Sequence, residues 1–261
     1  MRMIDELKTR WLDSGIEPGD TVLIHSNIKR TLLECRRAGF SATPQDILNS
    51  FLHAVGAKGT ILLPLFNFDF AKGSPFDIRS TQSQMGALTE IGRLSSDCVR
   101  TGHPIYSFGA IGHKSKEFEN VDNVSGYSDD SHFGILRRLD GKIASLDLDD
   151  QSSMTFYHHV EEVKRVNYRY FKDFIGCYTD LSGNKTEKTY QLYVRDVEKG
   201  VVTNVNAAGE LMWVNGLYRG FVPREKSGLR TIWANEMFNF VAGLIDNGEA
   251  LDTLYSVEQV K

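Results

Sequence analysis

Thr21-Val22-Leu23-Ile24-His25 and, further along, Gly59-Thr60-Ile61-Leu62-Leu63-Pro64-Leu65 bracket a segment that contains Thr43-Pro44-Gln45-Asp46. Both apolar runs are short, rich in β-branched and aliphatic residues and bounded by turn formers, Glu17-Pro18-Gly19-Asp20 before the first and Gly56 before the second, so both predict strands. The second run is apolar on both faces, as a parallel strand covered by helices tends to be. Between them Thr43 is placed as an N-cap, Pro44 at the first helical position and Asp46 as the acidic partner of a capping box. Ile47, Phe51, Leu52 and Val55 then share one apolar face, which Gly56 ends. Strand, helix, strand in this order implies a right-handed crossover between parallel neighbours. The expected fold class is therefore α/β, a mostly parallel central sheet flanked by helices.

Outward from this unit the alternation continues. Met3, Ile4, Leu7 and Trp11 recur at helical spacing near the N-terminus. A helix is predicted over 85–94, a short strand over 107–111, a helical turn over 133–139 and a strand over 142–148. From Tyr168 the texture changes. Aromatic and β-branched stretches at 168–180 and 189–194 flank Leu181-Ser182-Gly183-Asn184, which reads as an antiparallel β-hairpin in the C-terminal third. A last amphipathic helix is expected over 232–245, with Met237, Phe238, Val241, Leu244 and Ile245 on its apolar side. The expected organisation is one domain over 1–261 with a β-rich subregion at 166–216.

Composition narrows the function. The chain has 261 residues, 41% hydrophobic and 25% charged, the balance of a folded globular protein rather than a disordered or fibrous one. Lys plus Arg number 30 against 34 Asp plus Glu, a formal charge of -4, which is poorly suited to holding a polyanion, so no nucleic acid is expected. Cys35, Cys98 and Cys177 are odd in number and match no zinc or disulfide spacing, which fits reduced thiols in a cytoplasmic protein. The N-terminal segment lacks the apolar stretch of a secretory signal. No apolar run approaches the roughly 20 residues that span a bilayer, so no membrane segment is expected.

The stretch richest in chemistry is Gln151-Ser152-Ser153-Met154-Thr155-Phe156-Tyr157-His158-His159-Val160-Glu161-Glu162. On a helix His158 and Glu161 stand at i and i+3, where a carboxylate can orient an imidazole and stabilise the charge it takes as a base. A solvated polar helix end would show the same spacing. His158 and Glu162 share a face as zinc ligands can, but two candidates are too few and no metal is expected. His25-Ser26-Asn27-Ile28-Lys29-Arg30 follows the first strand, at the sheet edge where open α/β folds bind ligands. Its polar donors and cations suit phosphate, although it is not a Gly-rich phosphate loop. His103, before Pro104, reads as a satisfied loop histidine. Asp147, Asp149 and Asp150 bring carboxylates toward the His158 helix, to meet an ammonium or to cap the helix.

Taken together, HSNIKR at 25–30, GTILLPLFNF at 59–68, MGALTE at 85–90, GHPIYSFGAIG at 102–112, SHFGILRRLDGKI at 131–143 and TFYHHVEE at 155–162 resemble, in order and interval, the aminoglycoside 3-N-acetyltransferase family. The resemblance covers about residues 5–165. It implies an acyl-coenzyme A-dependent N-acyltransferase with acyl-coenzyme A as co-substrate, an amino sugar as acceptor and no metal. It places the family's histidine and glutamate on His158 and Glu161 as catalytic residues, and the coenzyme channel on His25, Ser26, Asn27, Lys29, His103, Ser107, Phe108, His132 and Phe133. Acceptor contacts are expected from Asn67, Asp149, Asp150, Thr155 and Arg165.

The chain departs from the drug-modifying members at Pro64-Leu65-Phe66-Asn67, at His132 and at Ser145-Leu146-Asp147-Leu148-Asp149. With Arg165, Arg169 and Lys172 following the His158 helix and suiting a diphosphate, these departures direct the expected acceptor to a nucleotide-linked amino deoxysugar used in surface polysaccharide synthesis. The acyl group is then acetyl or 3-hydroxybutanoyl. An aminoglycoside 3-N-acetyltransferase conferring antibiotic resistance is the alternative. Two other classes stay open: a hydrolase using Ser26 with His158, which lacks a Gly-x-Ser-x-Gly elbow, and a binding protein that retains only the scaffold. A homodimer is expected.

Overall fold

A computed structural model describes residues 2–225 and 228–258. In chain order the helices are α1 Arg2–Asp13, α2 Lys29–Arg37, α3 Pro44–Val55, α4 Ala87–Arg93, α5 His132–Arg138, α6 Phe156–Val163, α7 Asn206–Val214 and α8 Ala234–Asp246. The strands are β1 Thr21–Ser26, β2 Thr60–Pro64, β3 Phe76–Asp77, β4 Val99–Arg100, β5 Phe108–Gly112, β6 Lys142–Leu146, β7 Arg169–Thr179, β8 Lys185–Arg195, β9 Val201–Thr203, β10 Arg219–Gly220, β11 Leu229–Trp233 and β12 Tyr255–Val257.

A central sheet has the order β10-β11-β6-β1-β2-β5-β4. β6, β1 and β2 are parallel neighbours, while β11 and β5 run against the rest, so the parallel unit lies at the middle. Adjacent strand residues point to opposite faces, and two cores result. Val22, Ile24, Ile61 and Leu63 pack with Leu7, Trp11 and Phe51 of α1 and α3, where the Trp11 and Phe51 rings stack at 4.5 Å and the Trp11 indole N–H donates to Ser50 Oγ at 2.8 Å. Leu23, Leu62 and Ile143 face the other core with Phe133, Phe156, Met237 and Val241, from α5, α6 and α8.

The capping box at α3 forms as its sequence predicts, Thr43 accepting from the Asp46 N–H and Asp46 accepting from the Thr43 N–H. The 168–194 region is a hairpin of β7 and β8 in register from Arg169 against Arg195 to Thr179 against Lys185. Three elements differ from expectation. Lys29–Arg37 is a helix rather than the tail of a loop, its charged surface masking a single buried side of Thr31 and Cys35. Ile232 belongs to β11, antiparallel to β6, and α8 begins only at Ala234. Residues 151–153 form a turn, and α6 starts after Thr155.

The topology gathers the functional segments at one edge. β1, β2 and β6 all end there, β5 starts there because Phe108 pairs with Pro64, and the starts of α5 and α6 follow. The hairpin reaches this edge through His103, whose ring packs on Tyr190 at 5.1 Å, and through the bridge between Ser125 and Gln191.

Candidate active site

His158 sits on the first turn of α6 with 18% of its side chain exposed, and its Nδ1 lies 2.9 Å from Oε2 of Glu161, which is fully buried. The i, i+3 spacing thus produces a real contact. The same carboxylate oxygen lies 2.8 Å from Nε of Arg169 at the start of β7, also buried. Arg169 donates onward to the Tyr193 carbonyl at 3.1 Å and to Thr203 Oγ1 at 3.2 Å. Burial presses the Glu161 carboxyl upward, but the Arg169 guanidinium and the His158 hydrogen bond outweigh it, and its pKa lies below the ordinary value. The His158 pKa is lowered, first by burial and then by Arg169, against the opposing pull of Glu161. Ionised Glu161 only accepts, so Nδ1 carries the proton and Nε2 keeps a free lone pair.

His158 opens onto a cleft of about 370 Å³ whose other walls include Tyr106, Tyr127, Tyr170, Lys172, Phe174 and Arg195. Tyr127 packs edge-on against the His158 ring at 5.3 Å and against Tyr106 at 4.8 Å. Three cations, Arg169, Lys172 and Arg195, line the cleft, and no carboxylate does among the described residues.

A second cavity, of about 480 Å³, lies across the same sheet edge. It is lined by His25 and Ser26 at the end of β1, by Asn27 and Lys29 after it, by Gln84–Thr89 into α4, and by Leu148 and Ser152. His25 is nearly buried, its Nε2 has no hydrogen-bond partner, and burial with the nearby Arg230 charge holds its pKa down at about 3. The two cavities share no lining residue. Ser26 and His158 therefore face different spaces, which removes the geometric basis of a Ser26 nucleophile activated by His158.

Several expected ligand contacts prove to be internal. Asp150 is buried and accepts from the hydroxyls of Tyr157 and Tyr218, each at 2.7 Å, and from Arg230 at 2.6 Å. Asp149, also buried, accepts from the Ser152 N–H at 2.9 Å and from Asn206 at 3.2 Å. Asn67 spans the Gln82 carbonyl and the Asp69 N–H, both at 3.0 Å. None of the three lines either cavity, because backbone and side-chain partners distant in sequence draw them inward.

The His103 ring is buried, accepts the Tyr106 N–H on Nδ1 at 3.1 Å and faces the Gln191 carbonyl with Nε2 at 3.3 Å. It ties the hairpin to the sheet edge and lines neither cavity. Ser107 is buried between Arg100 and the Leu65 carbonyl. Phe108 and Phe133 are core, and His132 stacks on Phe108 at 3.6 Å with neither nitrogen hydrogen-bonded. Arg165 is exposed, its guanidinium 4.7 Å from the Phe171 ring rather than in the cleft.

Thr155 precedes α6 with a buried, unpartnered Oγ1. Glu162 accepts from Ser125 at 2.6 Å and takes no part with His158. No group of three or more potential metal ligands occurs among the described residues, and no helix among them is long and apolar enough to cross a membrane. Tyr106, Tyr127 and Arg195 escaped the sequence reading, since only the fold brings two loop tyrosines and the far end of β8 to one histidine.

Solved structures share this fold. Aminoglycoside acetyltransferase AAC(3)-Xa matches with a TM-score of 0.77 and 22% identity over 95% of this chain and 92% of its own. AAC-IIIb in a binary complex with CoASH matches with a TM-score of 0.77 and 19% identity over 94% and 96%. AAC-VIa bound to sisomicin matches with a TM-score of 0.74 and 20% identity over 95% and 98%. A family model described as aminoglycoside 3-N-acetyltransferase matches residues 23–242, which include most of β1, the His158 and Glu161 pair and most of α8. The chain belongs to the aminoglycoside 3-N-acetyltransferase family, a family of coenzyme A-dependent acyltransferases.

Proposed function

We propose that this protein transfers an acyl group from acyl-coenzyme A to the amine of an amino sugar, with His158 as general base and Glu161 orienting it. The observation that carries this reading is the buried Glu161 carboxylate holding Nδ1 of an imidazole whose opposite nitrogen is free beside an open cleft. An alkylammonium is not a nucleophile until it loses a proton. That first proton leaves to solvent, and His158 Nε2 then takes a second N–H proton as the neutral amine nitrogen forms its bond to the thioester carbonyl carbon. The C–S bond then breaks and the proton passes to the departing thiolate, with no acyl-enzyme. General-base assistance of this kind is worth about 10²- to 10⁴-fold. The Thr155 hydroxyl, three residues before His158, is a candidate donor to the carbonyl oxygen as charge gathers on it. The phosphate-bearing end of the coenzyme is assigned to the cavity of His25, Ser26, Asn27 and Lys29, where side-chain donors and one cation suit phosphates, and its long pantetheine arm carries the thioester across the sheet edge to the His158 cleft.

An aminoglycoside is the acceptor favoured by the family description and by the sisomicin complex of AAC-VIa. A second reading, a nucleotide-linked amino sugar, is favoured by the cleft itself, where Lys172, Arg195 and several aromatic rings stand beside the Arg169–Glu161 ion pair and no carboxylate lines the wall among the described residues. Such a lining repels a polycation and suits a diphosphate and a base. The test is release of free coenzyme A thiol from acetyl- and 3-hydroxybutanoyl-coenzyme A across aminoglycosides and nucleotide-linked amino sugars. Turnover should depend on an acceptor and collapse in His158→Ala. Near-normal turnover of that variant would overturn the assignment.

A further inference from the structure

A buried carboxylate beside a histidine favours a proton on the ring, and an imidazolium cannot act as the base. A second cation on the same carboxylate opposes that pull and favours the neutral ring. Here that cation is present, because Arg169 Nε reaches the same Glu161 oxygen that His158 uses, 2.8 Å against 2.9 Å. Its other nitrogens are fixed to the Tyr193 carbonyl and Thr203 Oγ1, so the guanidinium is locked across β7, β8 and β9.

We propose that Arg169 is a positioning residue which, acting through Glu161, keeps His158 as the neutral ring with its proton on Nδ1. The titratable and charged groups around His158 are Glu161 from its own helix, Tyr106 and Tyr127 from the loops before β5 and α5, Tyr168 just before β7 against Glu161, Arg169, Tyr170 and Lys172 from β7, and Tyr193 and Arg195 from β8. Burial keeps the phenols of Tyr106, Tyr127, Tyr168 and Tyr193 protonated, their pKa values raised above the ordinary phenol range. Glu161 is thus the one anion in the set, and Arg169 is the cation in contact with it. Removing Arg169 leaves the carboxylate to His158 and the neutral Tyr168 hydroxyl, with no cation in contact with it, and makes protonation of the ring easier. The same arginine lines the cleft, so it also joins acceptor recognition to the state of the base.

The consequence for turnover rests on the proposed acyl transfer, but the protonation of His158 is measurable without substrate. In nitrogen-15 histidine spectra, His158→Ala identifies the His158 signals among the seven histidines. The wild-type ring should titrate below the ordinary histidine midpoint and show Nδ1–H at neutral pH. Arg169→Gln should raise the midpoint by about one to two pH units, the usual reach of a charge at contact distance, and Arg169→Lys should return part of the change. The acid limb of kcat, read by thiol release, should move with it. A purely structural arginine would lower activity at every pH and leave the midpoint in place. A wild-type ring protonated on Nε2 overturns the proposal even if Arg169→Gln fails to fold, and so does an unmoved midpoint in a folded variant. Absence of turnover with every acceptor, beside the expected titration, would refute the acyl-transfer reading alone.

Discussion

Replacing Asp150 with alanine separates a structural carboxylate from a substrate-binding one. Arg230 and Asp150 have side chains 3% and 0% exposed and meet at 2.6 Å. Breaking such a buried pair by removing one partner costs about 3–5 kcal/mol, because the other charge stays in the interior uncompensated. The Tyr218 hydroxyl also loses its acceptor, and an unsatisfied buried donor adds about 1–3 kcal/mol. Tyr157 loses less, since the Val205 carbonyl stands 3.4 Å away as a second acceptor. The expected destabilisation is about 4–8 kcal/mol, a large share of the 5–15 kcal/mol that holds a typical domain together. Urea unfolding followed by tryptophan fluorescence measures it directly. Asp150→Asn, which keeps an acceptor oxygen, should lose less. If Asp150→Ala unfolds within about 1 kcal/mol of wild type, the range of ordinary surface changes and small losses, while its acceptor KM rises, the internal-hub assignment is wrong.

Lys172→Ala with Arg195→Ala should raise KM several-fold for a nucleotide-linked amino sugar and lower it for an aminoglycoside, with both effects shrinking as salt rises; no change with either acceptor removes the electrostatic argument for a diphosphate. Stability should fall as pH drops, because burial holds His25 at about 3 and His103 and His159 at about 4 against 6.5 for the ordinary group. The unfolded chain takes protons below 6.5 that the folded one refuses, so this contribution is complete above 6.5 and declines by up to about 1.4 kcal/mol per histidine per pH unit toward 4. Urea midpoints between neutrality and pH about 5 would show it, and flat midpoints would contradict it. Thr43→Ala should cost about 1 kcal/mol through loss of the α3 cap and leave kcat unchanged in the thiol assay. Gly134→Ala should destabilise strongly, since a Cβ there would collide with the Asp129 carbonyl oxygen; a thermal melt equal to wild type would show that the backbone yields.

What the sequence makes legible here is whatever depends on neighbours in the chain. The strands at 21 and 60, the capping box of α3 and the hairpin around 181–184 are local patterns, and each appears where its residues place it. The His158 and Glu161 contact is local too, set by helical spacing alone. α2 is obscured because its charged surface outweighs the two buried residues that hold it down. β11 merges into α8 because Ile232, Trp233 and Ala234 carry no breaker between strand and helix. The buried acids fail for a different reason. Asp150 looks like any surface aspartate until Tyr157, Tyr218 and Arg230 close on it, and Arg230 lies eighty residues away. Periodicity carries no information about such partners.

The division of labour between helix and hairpin follows from the same geometry. α6 carries the proposed base, His158, and its carboxylate, and both are fixed by one helical turn, so the nitrogen assigned to proton transfer is held by a rigid element. The opposite wall of the cleft, Tyr170, Lys172, Phe174 and Arg195, lies on β7 and β8, whose attachment to the sheet edge includes His103, the Ser125 bridge and the Asp122 contact to Tyr190. Substitution along those strands can therefore alter which sugar is accepted without moving the dyad. Arg169 is the exception, being both a wall of the cleft and the counterion of Glu161. A change of acceptor charge achieved at that position carries a change in the pH dependence of the base with it, whereas one achieved at Lys172 or Arg195 leaves the Glu161 ion pair in place.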